Sequence, residues 1–90
     1  EALDKYIDRI HQLEDIANSY EGVSKIQIMS AGRDMRVYVD PQEIDDTLLE
    51  PLARSIAGEI KQNVAYPGYV RVNTIRRTQI SETARPKSMS

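Results

Sequence analysis

Cysteine, tryptophan and phenylalanine are all missing from this 90-residue chain, and histidine occurs once. Without cysteine there is no disulfide framework and no thiolate chemistry. A single histidine, His11, leaves no Ser–His or Cys–His nucleophile system of credible specificity. Its place between Ile10 and Gln12, with no second His or Cys to share an ion, favours a solvated helical histidine over a metal ligand. The glycines are scattered at Gly22, Gly32, Gly58 and Gly68, and none belongs to a phosphate-cradling loop. No apolar run approaches the roughly 20 residues that span a bilayer, and no signal-peptide pattern opens the chain. No membrane contact is expected of this segment.

What is there suffices for one small domain. Hydrophobic residues make up 40% of the chain, and Ile, Val, Leu and Tyr must do the packing. A domain of this size buries roughly two-thirds of its unfolded surface, so the core is thin. The first residue is Glu rather than Met, and the segment is expected to come from a longer protein. The net charge of −2 is unevenly placed. Residues 1–62 hold 13 acids and 7 bases, whereas residues 63–90 hold 1 acid and 5 bases. A basic end invites an anionic partner, against the plainer alternative of a solvated strand edge and tail.

Residues 3–20 carry apolar groups at Leu3, Tyr6, Ile7, Ile10, Leu13, Ile16 and Ala17. Steps of three and four predict a helix with one apolar face, its polar face running through Asp4, Lys5, Asp8 and Arg9. This helix is expected to continue from a preceding domain, with Gly22 as its stop. From Val23 the period changes to two. Ile26 and Ile28 alternate with Lys25 and Gln27, and Met35, Val37 and Val39 alternate with Arg36, Tyr38 and Asp40, a hairpin closed by turn chemistry at 30–34. Pro41 ends its second strand.

A second helix is predicted over about 47–62, capped by Asp45, Asp46 or Thr47. Pro51 is tolerated only in a first turn, so regular helix should begin near Glu50 or kink there. Tyr66-Pro67-Gly68 reads as a turn, and Val70 to about Thr78 as a third strand. The reading is one α+β domain over 1–80 and a flexible tail over 81–90. The order α-β-β-α-β sends strands two and three in the same direction. With the third strand beside the first, the expected sheet is three-stranded and antiparallel, order 2-1-3, with both helices on one face.

Metal-dependent phosphodiester cleavage needs clustered His and carboxylate ligands, and none is legible. Asp45 and Asp46 are better read as helix caps than, with Glu43, as a cation site. The outward sheet face is more promising. It collects Lys25, Gln27, Met29, Arg36, Tyr38, Arg71, Asn73 and Arg77, a cationic surface with one aromatic. Single-stranded RNA is held by such means, cations on phosphates and a base stacked on a ring. Lys25, Arg36, Tyr38, Arg71 and Arg77 are the candidate RNA contacts. A solvated face and a subunit interface are the competing readings, and Met29 and Ile75 favour the interface. No catalytic or metal-ligating residue is assigned.

Ile16-Ala17-Asn18-Ser19-Tyr20-Glu21-Gly22-Val23, then Ala31-Gly32-Arg33-Asp34-Met35-Arg36-Val37, then Pro41 to Asp46, Tyr66-Pro67-Gly68 and Thr74-Ile75-Arg76-Arg77-Thr78 follow one another at set spacings. Together they resemble the C-terminal region of the ribonuclease Y family, over roughly residues 3–85. Arg77 stands where that pattern has an acid, Pro51 interrupts the helix, and residues 86–90 run past the usual stop. The resemblance implies a parent with an N-terminal membrane anchor, a coiled coil, an RNA-binding KH domain and a metal-dependent HD domain that cuts RNA. Its divalent metal and His–Asp pair belong to the HD domain, so no cofactor is expected here. The parent is expected to initiate mRNA decay on the cytoplasmic side of the membrane. This segment would be its non-catalytic C-terminal module, serving subunit association or partner docking; the alternative is an auxiliary single-stranded RNA surface.

Overall fold

The computed structural model of the chain describes residues 2–65 and 67–88. Helix α1 (Leu3–Asn18) leads into strand β1 (Val23–Met29) and, through a tight turn of left-handed residues at Ser30–Gly32, into β2 (Asp34–Val39). A 3-10 turn, Asp46–Leu48, precedes α2 (Leu49–Asn63), and β3 (Arg71–Arg76) closes the sheet. Residues 77–88 carry neither helix nor strand.

Each boundary has a local cause. Ser19 ends α1, its backbone N–H turned back to the carbonyls of Asp15 and Ile16 and its hydroxyl donating to Ile16 O at 2.7 Å. Gly22 then reverses the chain at φ +89, where a Cβ would come within 2.6 Å of Ile44 Cγ1. Asp45 caps the turn before α2 by accepting from Thr47 N at 2.9 Å. Because α2 begins at Leu49, Pro51 falls in its first turn, where the missing N–H has no intrahelical partner to lose.

The core lies between the helices and one sheet face. Leu13, Ile16 and Ala17 of α1 meet Met35 and Val37 of β2 and Ile56 and Ile60 of α2, with Val64 closing the end. Full burial of each large aliphatic contributes about 1.5–3 kcal/mol, largely offset by the entropy of ordering the chain. Across the helix pair, the Tyr20 hydroxyl donates to Glu59 Oε1 at 2.8 Å and lies 3.2 Å from the Ser55 carbonyl.

The sheet corrects the sequence reading. Its order is β1-β2-β3, with β1 and β2 antiparallel and β2 and β3 parallel, not an antiparallel 2-1-3 arrangement. Helix α2 is therefore the crossover of a βαβ unit that sets β3 directly beside β2. The central position suits β2, because Met35, Val37 and Val39 are all buried in unbroken alternation. β1 is suited to an edge. Val23 and Ile26 are out of step by one residue, and a bulge between Val23 and Lys25 absorbs the slip, a device common at sheet edges.

Two smaller differences follow. The regular third strand ends at Arg76 rather than near Thr78. Arg9, placed by periodicity on the polar face of α1, is buried, with its guanidinium carbon 5.6 Å from the Tyr6 ring centroid. In the Tyr66-Pro67-Gly68 turn, Tyr66 lies outside the described residues. Gly68 takes φ +120, and a Cβ there would meet Arg33 Nη1 at 2.7 Å.

Candidate functional site

Strand alternation sends the side chains of one parity into the core and the other parity out. Register then decides which outward residues meet. Lys25, Tyr38 and Ile75 form one row across the three strands, Gln27, Arg36 and Asn73 the next, and Met29, Asp34 and Arg71 the last. Both helices pack on the opposite face, so among the described residues no helix covers these rows.

The first row is the most organised. The Tyr38 hydroxyl donates to Gln27 Oε1 at 3.1 Å, which fixes the ring. The Lys25 ammonium lies 5.7 Å from the ring centroid and the Arg77 guanidinium carbon 5.0 Å. Cations within about 6 Å of a ring are attracted by its quadrupole, by about 0.5–1 kcal/mol at exposed sites. Arg36 stands two residues along β2 on the same face and is exposed. The last row differs. Arg71 is the cross-strand partner of Asp34, whose carboxylate accepts from Asn73 Nδ2 at 2.7 Å. Opposite charges facing across strands partly cancel.

The structure therefore brings Lys25, Tyr38 and Arg77 together, with Arg36 beside them, and sets Arg71 at the far end next to a carboxylate. Asp34 was missed as a member of this face, although the period of two running back from Arg36 and Tyr38 marks it. Arg76 was missed for a different reason. Its neighbour Arg77 faces the open side, as alternation places it, whereas Arg76 donates to backbone carbonyls of the 41–44 segment on the helical side, partners that the sequence does not show.

Titration behaviour is perturbed away from this face. The hydrogen bond to Glu59, then desolvation and the Glu59 charge, hold the Tyr20 hydroxyl above its ordinary pKa. The bond from the Thr47 side chain is the chief cause that lowers Asp45, helped by the Thr47 and Leu48 backbone N–H groups and the Arg76 charge. Among the described residues no three His, Cys, Asp or Glu side chains gather where they could hold a metal ion, and no helix is long and apolar enough to cross a membrane.

Sequence comparison ties this arrangement to known proteins. Over 84 residues the chain is 45% identical to ribonuclease Y of Acidothermus cellulolyticus, a match covering 93% of this chain and 17% of that protein. It is 47% identical over 78 residues to ribonuclease Y of Thermoanaerobacter pseudethanolicus. The chain is homologous to one segment of ribonuclease Y. A match to ribonuclease Y of Clostridium perfringens, 41% identical, again covers 94% of the chain and 17% of that relative. This segment thus spans about a sixth of the length of the ribonuclease Y proteins it matches, a coverage that fits a C-terminal fragment. No family model matches the chain, and no solved structure matches it.

Proposed function

We infer that this chain is the non-catalytic C-terminal module of a ribonuclease-Y-like endoribonuclease that initiates mRNA decay, and that its task is to dock against the remainder of that nuclease. One observation carries the docking role. The apolar stripe of α1 runs Leu3, Ile7, Ile10, Leu13 and Ala17, but only its later part is covered. Leu13 and Ala17 are fully buried, whereas Leu3 is 72% and Ile7 42% exposed. An amphipathic helix whose stripe outruns its own core has a further surface to cover. The matched relatives are about six times as long as the matched stretch, so most of such a protein is available as the occupant. The non-catalytic role is supported by geometry, since among the described residues no three His, Cys, Asp or Glu side chains gather to hold the metal ions that such hydrolysis uses.

Mixing the chain with a separately produced remainder of the nuclease tests this. Association weakened at least about tenfold by Leu3→Ser/Ile7→Ser is the expected result, since each side chain contributes about 1.5–3 kcal/mol on burial. Self-association alone, seen by light scattering, would replace the remainder of the nuclease with a second copy. RNA cleavage by the isolated chain in Mg²⁺ or Mn²⁺ would end the non-catalytic reading.

A second reading, an auxiliary single-stranded RNA surface on the open sheet face, is favoured by the gathering of Lys25 and Arg77 around Tyr38, with Arg36 exposed two residues along β2. It is compatible with docking, because α1 and the open face lie on opposite sides of the sheet.

A further inference from the structure

We propose that the open sheet face binds single-stranded RNA through backbone phosphates alone, at a cation cluster of Lys25, Arg36 and Arg77, and that Tyr38 organises these cations instead of stacking a base. This inference rests on the RNA reading of that face and narrows it.

Stacking needs a free aromatic face. Tyr38 offers one only at the expense of the cations that already stand over it. The Lys25 ammonium stands 5.7 Å and the Arg77 guanidinium carbon 5.0 Å from its centroid, and its hydroxyl is tied to Gln27. A stacking base would displace a cation from the ring and lose the attraction that holds it there. The other described tyrosines are elsewhere. Tyr20 is bonded to Glu59 on the helical side, Tyr6 lies on α1 against Arg9, and Tyr69 precedes β3 at the sheet end opposite Tyr38, with Arg33 over its ring.

The side chains able to read base edges are also partly committed. Gln27 Oε1 accepts from Tyr38, and Asn73 Nδ2 donates to Asp34 Oδ1 and to Met35 O at 2.9 Å. The cations are the opposite case. Held over a ring, Lys25 and Arg77 lose less freedom when a phosphate arrives, which is preorganisation. Arg36, exposed on the neighbouring row, extends the track along β2. Arg71 is excluded from it, because the carboxylate of Asp34 stands at its end of the face and repels phosphate.

The test is fluorescence anisotropy of the 90-residue chain with labelled oligo-U and oligo-A of equal length. Phosphate contact alone predicts affinities for the two within roughly threefold. With three cations engaged on a single strand, binding should fall about 20-fold between roughly 50 and 200 mM salt. Glutamine replacement of Lys25, Arg36 and Arg77 together should abolish binding, while Arg71→Gln changes it little. Tyr38→Phe should be neutral, and Tyr38→Leu, which keeps an apolar strand residue, should cost no more than about threefold. Stacking would instead make Tyr38→Leu cost roughly 5- to 150-fold and favour oligo-A, and either result overturns this proposal while leaving the RNA reading intact. No binding to either oligomer at low salt overturns the RNA reading itself.

Discussion

The guanidinium of Arg76 reaches back from β3 and donates from Nη2 to the Pro41 carbonyl at 2.7 Å. Its Nε donates to the Ile44 carbonyl, also at 2.7 Å, and Nη1 lies 3.4 Å from Asp46 Oδ1. One planar fork thus satisfies two backbone carbonyls of the loop that follows β2 and fastens it to the strand beside β2. Arg76→Ala is expected to destabilise the fold by about 1–3 kcal/mol in urea denaturation, since charged donors to otherwise unpaired carbonyls are worth that much. Arg76→Lys should recover less than half, because an ammonium cannot reproduce the fork. Wild-type stability in both variants would refute this anchoring.

Gly22 is a second fastening point. It sits at φ +89 against Ile44, and its carbonyl accepts from Asp40 N at 2.8 Å. Gly22→Ala combines left-handed strain with a Cβ clash, and a loss of about 1–3 kcal/mol is expected. Pairing it with Ile44→Ala separates the two causes, because the second change relieves the clash but not the strain. A thermal melt of the double variant that shows no coupling would mean that Ile44 is not the obstacle.

The turn between β1 and β2 holds Ser30 at φ 54 and Ala31 at φ 55, both left-handed without being glycine. Ala31→Gly is expected to leave stability unchanged or raise it by up to about 1 kcal/mol, the relief of left-handed strain exceeding the added freedom of the unfolded chain. A clear loss of stability would contradict the strain.

Tyr20 and Glu59 couple folding to alkaline pH. The folded-state pKa of Tyr20 is raised above its ordinary 10.0, first by its bond to Glu59. The neutral phenol is therefore the form the fold favours. Its stabilisation is complete below pH about 10 and is lost as pH rises through the folded-state value. Ultraviolet titration should show one tyrosine ionising late, and Tyr20→Phe or Glu59→Gln should remove that late component.

Met35 and Met29 test the two faces of the sheet. Met35 is fully buried at the centre of the core and Met29 lies on the open face. Met35→Ala should cost about 2–5 kcal/mol and Met29→Ala less than about 1 kcal/mol, read from chemical denaturation midpoints. Equal losses would place a second packed layer on the open face.

Much of this architecture is written in local pattern. Steps of three and four from Leu3 to Ala17 produce α1, the period of two around Ile26 and Val37 produces the hairpin, and Pro51 falls in the first turn of α2 where proline is tolerated. The outward set of the sheet, with Lys25, Arg36, Tyr38, Arg71 and Arg77, was also legible, because alternation alone assigns faces. The misplaced edge was nearly legible as well. The slip between Val23 and Ile26 announces a bulge, and a bulged strand is a poor centre for a three-stranded sheet.

The sequence by itself therefore determined the elements, the buried face of each strand and the presence of a single histidine and no cysteine, since periodicity and composition are properties of neighbours along the chain. Tertiary structure alone decided which strand sits in the middle, that Arg76 meets Pro41 and Ile44 while Arg77 meets Tyr38, and that Asp34 stands across from Arg71. Those outcomes depend on register and on the crossover of α2, which join residues some 30 to 40 positions apart. A period of two names a face but not the strand that will lie beside it.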